Sequence, residues 1–171
     1  DCCLETVAQF DPCYMTRPLA CDSEGKLAPA AGDQIAELVK PATCVAIGPG
    51  LNRSDQITAI VGELYRTLPQ PLVIDADGLN ALAASPDGLA NPAGPRILTP
   101  HPGEFARLVA ATEKQQPTAQ AMELARQHGI VIVLKGQHTL VTDGHQRFEN
   151  TTGNPGLAKG GSGDVLTGVI T

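Results

Sequence analysis

A glycine-rich run late in the chain has the residue types of a phosphate site. In Lys159–Leu166 (KGGSGDVL), three glycines and a serine stand directly before an apolar helical run. Glycines let backbone amides converge on an anion without obstruction by a Cβ, and a helix start adds about half a positive charge. We therefore predict an anion hole formed by Lys159, Gly160, Gly161 and Ser162, in which the lysine neutralises phosphate charge.

Asp164 follows these glycines and is the candidate catalytic residue. A carboxylate repels a transferring phosphate, so Asp164 suits the role of general base for an acceptor hydroxyl better than that of phosphate ligand. The structural alternative is an acidic residue that stabilises a first helical turn. The run is not a P-loop, because Lys159 precedes the glycines and no Ser or Thr directly follows it.

Two further loops follow predicted strands. Lys135–Thr139 (KGQHT) comes after an apolar strand and could hold adenine or a phosphate, unless Gly136 only makes the turn. Gly48-Pro49-Gly50 follows another strand and allows a ligand to approach the backbone closely. As a dinucleotide fingerprint this second loop is weak, because Arg53 replaces the third glycine.

Polar residues also cluster after two other strands. His101 stands at the predicted N-cap of a helix, with Glu104 at the third helical position. Ser or Asp caps better than His, so both a functional and a structural role for His101 stay open. Asp75, Asp77 and Asn80 could hold substrate or hydrated magnesium, or Asp77 or its neighbour could cap the short helix that follows.

The spacing of apolar residues alternates between helical and strand-like segments. It predicts strands over 43–47, 72–74, 96–98 and 130–134, and helices over 32–40, 54–68, 79–84, 102–110, 118–128 and from Asp164. The segments 139–142 and 146–148 around Asp143-Gly144 predict a hairpin with a tight primed turn. The first 30 residues predict loops with at most one short strand. This alternation indicates an α/β domain with a mainly parallel sheet, in which ligands bind at the carboxyl ends of the strands.

Composition excludes several functional classes. A net charge of −6 and a sequence pI near 5.1 disfavour nucleic acid, and the absence of Trp with only three Phe and two Tyr removes stacking platforms. The longest apolar runs are far shorter than the roughly 20 residues of a membrane span, so we expect a cytoplasmic protein without a membrane partner. The five cysteines precede all four histidines, which favours neither a metal site nor a disulfide framework. The chain opens without Met and stops in a helix that has just begun, so we expect a fragment.

Taken in chain order, the motifs resemble one family. They are Val45–Leu51 (VAIGPGL), Val73–Asn80 (VIDADGLN), Leu98–Phe105 (LTPHPGEF), Leu134–Gly136 (LKG), and the stretch from Asn154-Pro155-Gly156 through GGSGDVLTG at 160–168. From roughly Cys44 to its end, the sequence resembles the ADP- or ATP-dependent NAD(P)H-hydrate dehydratases. These enzymes repair hydrated nicotinamide cofactors. This implies one truncated domain over 1–171, with a three-layer ribokinase-like fold, a central mainly parallel sheet flanked by helices, and a late β-hairpin.

The resemblance also implies a reaction and partners. A nucleotide, ADP or ATP with Mg²⁺, phosphorylates the hydroxyl of (6S)-NADHX or (6S)-NADPHX, and loss of the phosphate restores the reduced ring. Asp164 would be the base, and the amides of 160–163 would stabilise the transferring phosphoryl group. The nucleotide would be held by Lys135, Gly136, Gln137, His138, Thr139 and Gly163. The hydrate would be bound by Gly48, Gly50 and His101, with Glu104 supporting the helix start and with Asp77 and Asn80 nearby.

Other interpretations stay open at this point. A ribokinase-like vitamin or sugar kinase would share the glycine loop and Asp164, and a non-catalytic nucleotide-binding module is a further alternative. A homo-oligomer, and an NAD(P)H-hydrate epimerase fused or separate, are partners that we keep open. The sequence departs from the family at Asn52, where a small residue, often Gly, usually follows Gly-Pro-Gly-Leu.

Overall fold

The computed structural model describes residues 4–109 and 116–171, and the chain forms two units, Asp1–Ala42 and Thr43–Thr171. The first unit contains two helices, α1 (Leu4–Ala8) and α2 (Ala30–Leu38). The expectation of loops before residue 30 is therefore wrong at α1. Helix α2 begins two residues before the predicted position, directly after Pro29.

A tight turn organises the chain between these two helices. One isolated bridge pairs Cys21 with Leu27, and the Asp22 carboxylate accepts two backbone amides inside that turn. The amide of Ala20 donates to the Gln34 side chain at 2.7 Å. These local bonds hold the segment against α2 within the first unit.

The second unit is built on one six-stranded sheet in the order β1-β2-β3-β4-β5-β6. The first four strands pair in parallel, and the last three form antiparallel pairs. The strands are β1 (Val45–Ile47), β2 (Leu72–Ile74), β3 (Arg96–Leu98), β4 (Val131–Leu134), β5 (Thr139–Thr142) and β6 (Arg147–Asn150). The predicted α/β class, with a mainly parallel sheet and a late hairpin, is confirmed.

Helices connect the parallel strands. They are α3 (Asp55–Thr67), α4 (Ala76–Ala84), α5 (Pro102–Leu108) and α6 (Pro117–His128), and after the hairpin come a 3₁₀ turn (Pro155–Leu157) and α7 (Ser162–Ile170). Ser54 caps α3, accepting the Ile57 amide at 3.1 Å. Within the described residues, no helix is long and apolar enough to cross a bilayer. The predicted end of α5 at residue 110 lies outside the described residues.

In the second unit, helices α4 and α7 also begin two or more residues earlier than the sequence pattern predicts. Helix α4 begins at Ala76 rather than Leu79, directly after the N-cap Asp75. Helix α7 begins at Ser162 rather than Asp164, because Gly161, with φ of 86°, turns the chain directly into the helix. Asp164 thus lies in the first turn of α7.

Both faces of the sheet contain fully buried residues. Leu72, Ile74, Leu98 and Ile132 share one face and are each 0% exposed. Right-handed crossovers between consecutive neighbouring strands place α3 to α6 on one face, which accounts for this core. On the other face Val73 is also fully buried, and α7 contacts its strand, β2.

The hairpin turn is wider than the tight primed turn that Asp143-Gly144 predicts. Four residues, 143–146, separate the paired Thr142 and Arg147. The Asp143 carboxylate accepts the amides of His145 and Gln146 at 2.8 and 2.7 Å, and these bonds lower the pKa of Asp143. Only Gly144 in this turn has a positive φ, so the expected pair of positive φ angles is wrong.

A buried arginine ties β3 to the end of α3. Arg96 is 1% exposed, and its guanidinium donates to the carbonyls of Tyr65 at 2.6 and 3.0 Å, of Leu68 at 2.6 Å and of Gln70 at 3.1 Å. It also lies 5.4 Å from the centroid of the Tyr65 ring. Burial lowers the pKa of Arg96, and the charge is satisfied by carbonyl oxygens rather than by a carboxylate.

We expect Arg96→Met to lower the free energy of unfolding by about 3 kcal/mol or more, because it leaves several buried carbonyls without donors. Urea unfolding measures this loss. Arg126→Met is the matched control, since Arg126 forms an exposed pair with Glu123, and we expect it to leave the free energy of unfolding nearly unchanged. Equal losses in the two variants would contradict the structural role of Arg96.

Because of Tyr65, we expect the free energy of unfolding to fall at alkaline pH. Burial raises its pKa from 10.0 to about 12, partly opposed by Arg96. Above pH 10 the Tyr65 hydroxyl ionises in the unfolded state but keeps its proton in the folded state. Its contribution to the free energy of unfolding is therefore fully present below pH 10 and is lost as the pH rises through about 12. The expected slope is up to about 1.4 kcal/mol per pH unit. Tyr65→Phe should flatten this slope, whereas Tyr14→Phe, at a 59% exposed position, should not.

Candidate active site

The site lies at one edge of the sheet, where the parallel strands end. The carboxyl ends of β1 to β4 all lie at this edge, so the loops after them are neighbours. Backbone bonds continue the pairing past the strands: the Asp75 amide donates to Ile47, that of Thr99 to Ile74, and that of Lys135 to Pro100. The loops that begin at these positions are held in register with each other.

An ion pair between Asp75 and Lys135 is buried at the centre of the site. Lys135 Nζ lies 2.6 Å from Asp75 Oδ1, and the carboxylate side chain is 2% exposed. The Thr167 hydroxyl donates to Asp75 Oδ2 at 3.0 Å, which ties α7 to the end of β2. Gly163 belongs to the same contact, because a Cβ there would lie 3.4 Å from both Asp75 Oδ2 and Lys135 Nζ.

Glu104 and His101 form the start of α5. The His101 Nδ1 accepts the amides of Gly103 and Glu104 at 3.0 and 3.4 Å, and Glu104 Oε2 accepts the His101 amide at 2.9 Å. This is a capping box in which histidine replaces the usual hydroxyl residue. His101 Nε2 lies 3.3 Å from Glu104 Oε1, and Lys135 Nζ lies 4.0 Å from Glu104 Oε2.

The glycine loop leaves donors free at the start of α7. Among the described residues, the amides of Gly160, Gly161, Gly163 and Asp164 have no hydrogen-bond partner. No atom lies within 4 Å of a Cβ built at Gly160 or Gly161, so the space beside these amides is open. The Asp164 side chain is exposed beside them. The arrangement can bind an anion and present a carboxylate next to it.

The loop after β1 packs directly on the start of α4. A Cβ at Gly48 would lie 1.8 Å from the Asp75 carbonyl oxygen, and one at Gly78 would lie 3.0 Å from the Ile47 carbonyl oxygen. The Gly48 position therefore requires glycine, and a side chain at Gly78 would force its neighbours to shift. Asn52 in the same loop has a φ of 65°, a left-handed conformation that Asn tolerates better than most residues.

Asp77 joins this loop to α4. Its carboxylate accepts the Asn52 amide at 2.9 Å and the Asn80 side-chain amide at 3.3 Å, and Arg53 Nε lies 3.6 Å away. The N-cap of α4 is Asp75, which makes no side-chain capping bond, so Asp77 itself does not cap this helix. Asn80 Oδ1 accepts from Arg107 of α5 at 3.0 Å.

The predicted nucleotide segment is only partly connected to the glycine loop. Lys135 lies against Gly163, with its ammonium directed to Asp75. Thr139 closes the segment on itself, because its hydroxyl contacts the amide and the carbonyl of Gly136. Gln137 and His138 are exposed, and His138 Nδ1 lies 3.5 Å from Glu149 on β6. Nucleotide binding by this segment stays a prediction, as does phosphate neutralisation by the exposed Lys159.

Two site residues escape sequence reasoning. Thr167 faces Asp75 four residues after Gly163, and this helical spacing is the signal that could have found it. Arg107 carries no sequence signal, since it follows an ordinary amphipathic pattern in α5.

We expect Lys135→Met to lower the free energy of unfolding by about 3–5 kcal/mol, because it leaves the Asp75 carboxylate buried and unpaired. The double variant Asp75→Asn/Lys135→Met should recover part of this loss. Lys26→Met is the control, since Lys26 forms an exposed pair of the same 2.6 Å length with Glu24. Thermal and urea unfolding measure all three, and a Lys135→Met loss as small as the control's would contradict the buried pair.

Comparison with known proteins places the chain in a family. The sequence model of the NAD(P)H-hydrate dehydratases matches residues 12–171. A bifunctional NAD(P)H-hydrate repair enzyme of Moorella thermoacetica is 43% identical over 161 residues, which cover 91% of this chain and 30% of that protein. A similarly named enzyme of Coxiella burnetii is 43% identical over 82% of this chain and 29% of its own length.

Solved structures agree with the sequence relatives. A Bacillus subtilis ADP/ATP-dependent NAD(P)H-hydrate dehydratase, co-crystallised with ATP and Mg²⁺, superposes with a TM-score of 0.60 at 38% identity, covering 75% of this chain and 46% of that one. A ribokinase-like protein of Enterococcus faecalis gives a TM-score of 0.67 at 29% identity, over 83% of this chain and 50% of that one. The chain thus spans about a third of its curated relatives and half of these structures. It belongs to the NAD(P)H-hydrate dehydratase family.

Proposed function

We propose that the protein uses ADP or ATP to dehydrate (6S)-NADHX or (6S)-NADPHX to NADH or NADPH. The observation that carries the proposal is the start of α7, where the free amides of Gly160, Gly161 and Gly163 stand beside the exposed Asp164. Family membership supports the choice of hydrate as substrate. The Bacillus subtilis relative, co-crystallised with ATP and Mg²⁺, supports the choice of nucleotide.

The chemistry has two steps. Asp164 accepts the proton of the hydrate hydroxyl while that oxygen forms a bond to the terminal phosphorus of the nucleotide, and the bond from phosphorus to the leaving nucleotide breaks. The ring C–O bond then breaks as phosphate departs, and a proton leaves the neighbouring carbon, so the ring double bond forms again. Phosphorylation is useful because phosphate leaves more readily than hydroxide.

The glycine loop is proposed to stabilise the charge of the transferring phosphoryl group. Amides that are already oriented and unpartnered need no rearrangement when negative charge develops, which is the basis of oxyanion stabilisation. Lys159, exposed at the start of this loop, is proposed to neutralise the phosphate charge. Lys135 is not free for that purpose, because its ammonium is 2.6 Å from Asp75.

The remaining residues are proposed to hold the two substrates. Gly48, Gly50 and His101 border the hydrate, and the segment Lys135–Thr139 together with Gly163 borders the nucleotide. Mg²⁺ would enter with the nucleotide and be held largely by its phosphates. The described residues contain no group of three His, Cys, Asp or Glu side chains that could hold a metal ion by itself.

The proposal extends to partners and location. Relatives of this chain are named bifunctional repair enzymes, which supports an NAD(P)H-hydrate epimerase, fused or separate, as a partner. We propose a cytoplasmic location and keep a homo-oligomer as part of the proposal.

Asp164→Asn tests the assignment of the base. Regeneration of reduced-nicotinamide absorbance from (6S)-NADHX with ADP or ATP should fall at least about 100-fold, while nucleotide binding persists, because the amide keeps the shape and loses the proton acceptor. The assay uses the complete reading frame beside the 171-residue chain. Asp33→Asn is the matched control, since Asp33 is also an exposed acidic residue in a first helical turn.

Unchanged turnover in Asp164→Asn would remove Asp164 from the mechanism. A wild-type protein that leaves both hydrates untouched yet phosphorylates a small alcohol would be a ribokinase-like kinase instead. One that binds nucleotide without any turnover would be a nucleotide-binding module.

A further inference from the structure

A cleft of about 410 Å³ opens between the start of α3, the outer face of α4 and the side of α5. Its volume falls within the range of small-molecule sites, about 300–1,000 Å³. The polar side chains that line it include Asn52, Arg53, Ser54, Asp77, Asn80 and Arg107. Neither arginine takes part in the proposed phosphoryl transfer, although both border this space.

The cleft carries a net positive charge. Its two guanidinium groups face a single carboxylate, that of Asp77, whose oxygens already accept the Asn52 amide and the Asn80 side chain. Arg53 Nε remains 3.6 Å from Asp77, longer than an ordinary hydrogen bond. Most donors of Arg53 are therefore available to a ligand.

Arg107 is the second available cation. Its guanidinium donates one hydrogen bond, to the neutral Asn80 Oδ1 at 3.0 Å, and within residues 4–109 and 116–171 it has no carboxylate partner within 4.0 Å. Arginine presents its donors as a planar fork that matches two oxygens of one phosphate. Arg53 and Arg107 thus line one cleft from α3 and α5 with donors that a phosphate could fill.

The cleft continues from the loops that are proposed to bind the hydrate. Asn52 and Asp77 join the Gly48–Gly50 loop to α4, and Arg107 lies further along the helix that His101 starts. A hydrated dinucleotide carries a pyrophosphate and, in NADPHX, also a 2′-phosphate, both away from the reacting ring. We propose that Arg53 and Arg107 bind a phosphate group of this dinucleotide; the inference rests on the proposed function.

Steady-state kinetics of the arginine variants test the proposal. Arg53→Gln, Arg107→Gln and the double variant should raise the KM for the hydrate by about 10- to 100-fold, with kcat changed less than about threefold. The small effect on kcat is expected because these groups do not touch the reacting atoms. Arg126→Gln, an exposed arginine on α6, is the matched control and should leave both parameters unchanged.

The two hydrates distinguish the two phosphate sources. A rise in KM for NADHX and NADPHX alike would assign the pyrophosphate, and a rise for NADPHX alone would assign the 2′-phosphate. Either result supports the site. Unchanged KM values for both hydrates, or a rise only in the KM for ATP, would overturn the proposed phosphate site.

A binding measurement separates this inference from the proposed function. Titration of wild-type and double-variant protein with NADPH and NADH, followed by nicotinamide fluorescence, needs no turnover. Weaker binding by the double variant, with no change in Arg126→Gln, supports the phosphate site even if the wild type fails to dehydrate either hydrate. Equal affinities, or no binding by the wild type, would overturn it.

Discussion

The contact between Asp75 and Lys135 determines how the candidate site at the carboxyl ends of the parallel strands is assembled. Asp75 ends β2, Lys135 ends β4, Thr167 joins the pair from α7, and Glu104 of α5 lies 4.0 Å from the same ammonium. Two charges removed from water stabilise a protein only when geometry and additional hydrogen bonds compensate for their desolvation, and here a threonine hydroxyl supplies one such bond. Strands and helices that are distant in the sequence therefore meet in a single arrangement.

This contact constrains how the site can attract phosphate. One ammonium lies among two carboxylates, those of Asp75 and Glu104, so its positive charge is largely used inside the protein. In the proposed function, attraction for the nucleotide therefore comes from the free amides of the glycine loop, the start of α7 and Lys159. Glycine at 163 fits the same constraint, since its backbone lies directly against the ion pair.

The stabilising contacts of Arg96 and the candidate active site lie at opposite ends of the parallel strands. Arg96 is the first residue of β3, so its bonds to the end of α3 lie at the amino edge, opposite the candidate site. Substitutions in the glycine loop can therefore change the proposed phosphoryl transfer without disturbing the hydrogen bonds of Arg96. At the carboxyl edge, the free amides of the glycine loop are proposed to stabilise the reacting phosphoryl group, and the arginines of the neighbouring cleft are proposed to bind a remote phosphate.

The sequence alone determined the α/β class, the strands and most helices, because apolar periodicity and turn residues act over a few neighbouring positions. It also singled out the glycine loop, Asp164 and the motif order of the family. Tertiary structure decided that Lys135 pairs with Asp75, that His101 caps α5 through Nδ1, and that the turn after β5 has four residues. It alone placed Thr167 and Arg107, because contacts across 92 and 27 residues depend on how strands and helices pack against each other.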